Sequence, residues 1–99
     1  MLMITGENNR DFKFDNKVEV VGQINGKVVV LNGGSLSVRG QINNGLVIKE
    51  GAEVFLHGQV NGDVINEGGT LYVLGYINGR LFRERGITNI YKDAFIKEM

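Results

Sequence analysis

The stretch KVEVVGQINGKVVVLNGG at 17–34 runs directly into SLSVRGQINNGLVIKEGA at 35–52, EVFLHGQVNGDVINEGG at 53–69 and TLYVLGYINGRLFRERG at 70–86. These are four copies of one unit, 18, 18, 17 and 17 residues long, and they cover 70 of the 99 residues. The tightest columns are Gly22, Gly40, Gly58 and Gly75, then Ile24, Ile42, Val60 and Ile77, then Asn25, Asn43, Asn61 and Asn78. A fixed period of this kind marks a repeat architecture, in which each unit buries its apolar face against its neighbours.

Within a unit the first segment alternates. Val18, Val20, Gly22 and Ile24 share one phase, and Glu19, Val21 and Gln23 the other. The same phase returns in Leu36 to Ile42, Val54 to Val60 and Leu71 to Ile77. Period two with β-branched residues is a half-buried strand. The second segment of each unit (Val28–Leu31, Leu46–Ile48, Val64–Ile65, Leu81–Phe82) is shorter and ends in a glycine-rich corner.

Eighteen residues divide into three faces of six. Val18, Ile24, Val30, Leu36, Ile42, Ile48, Val54 and Val60 stand six apart, and after a one-residue loss the series resumes at Ile65, Leu71 and Ile77. The pattern predicts an all-β fold, a single-stranded triangular parallel β-solenoid of four to five coils stacked about 4.8 Å apart. The asparagine column would stack at a corner and bond along its length. The alternative is an antiparallel meander or small barrel, because Asn25-Gly26, Asn61-Gly62 and Asn78-Gly79 are the dipeptides of type I′ hairpin turns. That alternative leaves strands of eight facing strands of about five.

The ends depart from the repeat. Phe12 and Phe14 lie six residues before Val18 and Val20, which makes 1–16 an N-terminal partial coil. Leu2 and Ile4 offer a further short strand, with Gly6 to Arg10 as a polar loop. At the other end Thr88 suits an N-cap, and Ile87, Ile90, Tyr91, Ala94, Phe95 and Met99 fall on one face of a 3.6 period. The expectation is a single domain over 1–99: the partial coil, four repeats at 17–86, and a short C-terminal amphipathic helical cap at 87–99 laid over the last coil.

Composition narrows the function. Eleven basic against eleven acidic residues give zero formal charge, which argues against nucleic acid or an anionic membrane surface as partner. With no cysteine, thiolate metal sites and cysteine catalysis are excluded. No stretch nears eighteen apolar residues and no signal-peptide profile opens the chain, so no integral membrane segment and a cytoplasmic location are expected. His57, the single histidine, falls in an outward phase beside Leu56 and reads as a solvated residue. Its functional alternative is the general base of a hexapeptide-repeat-like acyltransferase. Asp11, Asp15, Asp63 and Asp93 are too scattered for a calcium site, and Arg80, Arg83 and Arg85 are interrupted by Glu84. No cofactor and no catalytic residue are expected.

The outward phase turns aromatic toward the later coils. The column Glu19, Ser37, Phe55, Tyr72 is flanked by Val21, Arg39, His57, Leu74, and Tyr76 replaces Gln23, Gln41 and Gln59. Phe55, His57, Tyr72, Leu74 and Tyr76 are therefore the expected protein contact, unless a terminal segment folds over them.

The recurrent strings GQING at 22–26, GQINN at 40–44, GQVNG at 58–62 and GYING at 75–79 resemble the bactofilin family across residues 12–86. That resemblance implies a triangular β-helix that polymerises end to end as a cytoskeletal scaffold, without nucleotide and without catalytic residues. Two departures are a shorter core than the family's six or so windings and the absence of proline-rich tails. A cap over 88–99 would also block one growing end. The expected role is a non-catalytic structural or scaffolding protein acting as a homo-oligomer, with room for one protein partner. A small phage or mobile-element recognition module is the competing binding reading, and the acyltransferase the enzymatic one.

Overall fold

The computed structural model describes residues 1–98. It is an all-β parallel solenoid of about six turns, more than the four to five expected because each terminal segment adds a coil of its own. Every ladder is parallel, each strand pairing with its counterpart one coil away. The segments on either side of Asn25-Gly26 pair with neighbouring coils and not with each other, which removes the meander and the barrel. Gly26 and Gly79 are not among the residues of positive φ that a type I′ turn requires.

Three faces carry the strands. The first holds β1 (Leu2–Ile4), β4 (Lys17–Val20), β7 (Ser35–Val38) and β10 (Glu53–Leu56). The second holds β2 (Glu7–Asn8), β5 (Gln23–Ile24), β8 (Gln41–Ile42) and β11 (Gln59–Asn61). The third holds β3 (Phe12–Phe14), β6 (Val28–Val30) and β9 (Leu46–Ile48). In the later coils the ladder runs on through the corners with irregular register, giving β12 (Val64–Val73) and β13 (Tyr76–Ile90), followed by β14 (Phe95–Glu98).

The interior follows the six-residue phase. Val18, Ile24, Leu36, Ile42, Val54, Val60, Leu71 and Ile77 are at most 1% exposed, joined by Val28, Leu46, Val64 and Leu81 on the third face. The glycine column sits where coils approach most closely: a Cβ on Gly40 would run into the Gly22 carbonyl oxygen, and one on Gly58 into that of Gly40. Gly51, at φ +82°, turns the third corner in a conformation other residues avoid.

Two expectations fail. The series does not resume inward at Ile65: Val64 and Asn66 point in, and Ile65 lies on the outside. The lost residue comes from the following corner, and Asn66 compensates for it. In the earlier corners a backbone carbonyl closes the turn, as when Ala52 N–H donates to Lys49 O at 3.1 Å. In the shortened corner Asn66 Oδ1 accepts from Gly68 N at 3.1 Å and Gly69 N at 2.9 Å instead. Its Nδ2 donates to Ile87 O and Thr88 Oγ1, so a fully buried amide is fully bonded.

The C-terminal helical cap is also absent. Residues 87–90 end β13 and 95–98 form β14, with Thr88 paired to Leu71, Ile90 to Val73 and Ile96 to Ile77. Tyr91 N–H donates to Val73 O and Phe95 N–H to Gly75 O, both at 3.0 Å. A helix would leave those carbonyls on an open sheet edge, whereas one more coil satisfies them. Met99, the last member of the expected helical face, lies outside the described residues.

Candidate functional site

The outward side chains form columns parallel to the solenoid axis, so each surface is written at one residue per coil. At the second-face corner the asparagines make a directional ladder. Asn43 Nδ2 donates to Asn25 Oδ1 and Asn61 Nδ2 to Asn43 Oδ1, both at 2.7 Å, and Asn78 Nδ2 to Asn61 Oδ1 at 3.0 Å. Gln23, Gln41 and Gln59 each add a 2.8 Å bond to the asparagine two residues on. The ladder ends on Asn9 Oδ1 and Glu7 Oε2 in the first coil. Its chemistry is internal, and it stiffens the corner.

Of the expected contact residues, Phe55 and Tyr72 come together. Phe55 and Tyr72 are register partners on the first face and their rings stack at 4.7 Å with planes 3° apart. Leu74 follows at the corner. Tyr76, 54% exposed, begins the second face, where Phe95 packs on it at 6.1 Å. Phe95 and the exposed Tyr91 extend the patch into the last coil. The sequence alone does not add them to the patch, because a helix over 87–99 would carry them elsewhere. No terminal segment among the described residues lies over Phe55 or Tyr72: the C-terminal chain adds a coil above them.

His57 is exposed in the same corner column, between Arg39 and Leu74. Two surface grooves, of about 400 and 470 Å³, run along the other corners and are not lined by it. The first is floored by Gly34, Ala52 and Gly69, the second by Gly45, Val47 and Ile65. Among the described residues no cluster of three His, Asp or Glu is placed to hold a metal ion. No helix among them is long and apolar enough to cross a membrane.

No family model, curated protein or solved structure matches the chain. What the structure supports is therefore the β-helical repeat architecture itself, read from its own geometry.

The third face carries a feature that sequence reading passes over. Its outward column is Lys13, Val29, Val47, Ile65 and Phe82, aliphatic or aromatic in four coils. Val47 is 6% exposed at the floor of the second groove, and Phe82 37%. The signal is present in the runs VVV, LVI, VI and LF, where the outward position is apolar like its neighbours. Charges edge this column. On one side stand Asp11, Lys27, Gly45, Asp63 and Arg80, on the other Asp15, Leu31, Lys49, Glu67 and Arg85. Asp11 Oδ1 accepts from Lys27 N at 2.8 Å, and Arg80 lies 3.5 Å from Asp63. Lys49 Nζ donates to Glu67 Oε1 at 2.6 Å, and this bond and charge hold the Glu67 carboxyl below the ordinary glutamate range.

Proposed function

We propose that the chain is a non-catalytic structural module that assembles by continuing its own coil from copy to copy. The observation that carries the reading is the pair of one-sided ladders at its ends. Strands β1, β2 and β3 pair only with the coil above them among the described residues. Residues 87–90 and β14 pair only with the coil below. Inward-phase apolar side chains reach the surface at both ends, with Leu2 46% and Ile90 39% exposed. Unpaired parallel edges of matching triangular section are templates for another strand layer, and stacking satisfies backbone and side chains together.

The bactofilin-like strings favour the same reading, since that family polymerises end to end as a membrane-associated or cytoplasmic scaffold. The objection raised by a helical cap falls away because residues 87–98 are strand and turn. Family membership itself is part of the proposal. In this reading the aromatic corner of Phe55, Tyr72, Leu74 and Tyr76 serves a protein partner of the assembled scaffold.

The test is light scattering of the native chain with electron microscopy of the same fractions. Elongated assemblies are expected, and Ile90→Glu should disperse them while leaving the far-UV spectrum unchanged. Tyr76→Ser should leave them intact. A native chain that stays at 10.9 kDa at millimolar concentration overturns the reading. Dispersal by Tyr76→Ser but not by Ile90→Glu would move self-association from the ends to the aromatic corner.

A further inference from the structure

The geometry points to a second contact between copies: the third face pairs with the third face of an antiparallel copy, about a two-fold axis through the coil of Gly45 and Val47. This inference rests on the self-associating reading above and adds a lateral surface to it.

Charge order along the face selects the orientation of the second copy. Read from the first coil upward, one flank is Asp11, Lys27, Gly45, Asp63, Arg80: minus, plus, neutral, minus, plus. With their coils aligned, two like faces can meet about a two-fold axis in two ways. If the axis lies along the strands, the solenoids run antiparallel and each flank meets itself reversed. Asp11 then faces Arg80 of the second copy, Lys27 faces Asp63, and Gly45 faces Gly45. All four charged positions meet opposite charge. If the axis lies along the solenoid, the copies run parallel and each flank meets the other one. Asp11 then faces Asp15, Asp63 faces Glu67 and Arg80 faces Arg85, with like charge in three coils. Like charges opposed across an interface are costly, so order along the column selects orientation.

The rest of the face agrees. In the antiparallel pairing the groove with Val47 at its floor faces its own copy, Val29 meets Ile65, and Lys13 meets the Phe82 ring, which also carries the Arg80 guanidinium of its own chain at 5.5 Å. On the second flank Asp15 meets Arg85, and Leu31 meets Glu67, whose charge is bonded to Lys49 of its own chain. The one like pair is Lys49 with Lys49 on the axis, and each is already bonded to its own Glu67 at 2.6 Å. Shifting the axis to the gap between the coils of Gly45 and Asp63 would set Lys27 against Arg80, and Asp11 against Glu98, which lies over Arg80. Register is thus selected as well as orientation. Five coils at about 4.8 Å give a contact roughly 20 Å long, at the small end of specific interfaces, so the pairing is concentration-dependent.

The chain has no cysteine, which makes the pairing readable by single thiols. Face-to-face sheets stand about 10 Å apart, too far for a disulfide but within reach of a short bis-maleimide. Val29→Cys and Ile65→Cys proteins are mixed and cross-linked. Antiparallel pairing predicts that the mixed product exceeds either single-variant product by at least about tenfold, where random collision gives only about twofold. Lys27→Glu in both proteins should lower the yield about tenfold. Adding Asp63→Lys should restore it, because the two exchanged side chains again meet as opposite charges across the interface. Predominant Val29–Val29 products would establish the parallel arrangement and overturn the proposal. A twofold statistical ratio insensitive to Lys27→Glu would also overturn it, while elongated assemblies in the same sample would leave the end-to-end reading standing. Loss of both cross-links and assemblies would remove both.

Discussion

The coil at 35–52 and the coil at 87–98 follow the same positional rule and reach opposite states of burial. Leu36, Val38, Ile42, Leu46 and Ile48 are all completely buried. In the last coil Thr88, Ala94 and Ile96 are half-buried and Ile90 is exposed. Local pattern does not explain the contrast, because Thr88 and Ile96 stand directly over Leu71 and Ile77. What differs is the number of neighbouring coils. In a solenoid, burial is a property of the stack, and an end coil remains half a core until something is laid on it.

The largest effect expected from this contrast is at Ile42. Ile42→Ala opens a void between two coils that cannot collapse onto it without breaking their ladders, and should cost about 2–5 kcal/mol in urea unfolding. Asn66→Ala comes next. It leaves Gly68 N–H, Gly69 N–H and the Ile87 carbonyl without their partner in a shortened corner, which should cost about 1–3 kcal/mol. An equal loss for Asn66→Ala and for Ala52→Gly would show that the amide does not hold that corner. Ile90→Ala should cost only about 1 kcal/mol in the dispersed chain, in proportion to the surface it buries there. Its cost should rise with protein concentration if the ends stack, toward the value for Ile42→Ala. A cost that stays flat across a hundredfold concentration range would detach the end coil from assembly.

Most of the fold is legible because the coil has a period and the period has a phase. Gly22, Ile24 and Asn25 recur with so little variation that corner, interior and ladder are each spelled out four times. The glycine column is readable as a sharp bend, although its physical reason is the carbonyl of the coil below. Failures come where the pattern is sampled only once. Ile65 looks inward in the sequence because a five-residue step from Val60 keeps the series aliphatic, whereas the six-residue step lands on the polar Asn66. Only the ladder to Val47 shows that the loss falls in the next corner. The helix over 87–99 fails for a related reason: Ile87, Ile90, Tyr91, Ala94 and Phe95 satisfy a helical stripe, while Thr88, Ile90 and Ile96 satisfy the coil. So short a segment cannot decide between the two, and the open edge beneath it does. The aromatic corner is visible as an outward column, but the third-face ridge is not, because an apolar residue between two inward ones looks like core.

The smallest effect concerns the Glu67 carboxyl. Glu67 accepts a hydrogen bond from Lys49 Nζ and feels its charge, with Arg85 and Lys27 adding to the positive field, and its folded pKa is lowered. A carboxyl depressed on folding contributes stability that is complete above its unfolded pKa and disappears as pH falls through the folded value. Glu67→Gln should therefore lower the urea midpoint slightly at neutral pH, and the gap from the native chain should close in acid. Because the pair is solvent-exposed, the gap should also shrink as salt is raised. Lys49→Met should produce the same closing gap from the other partner. A gap that persists unchanged at low pH would mean that Glu67 acts through packing on the corner above Glu50, and that the contrast between coils is one of shape without charge.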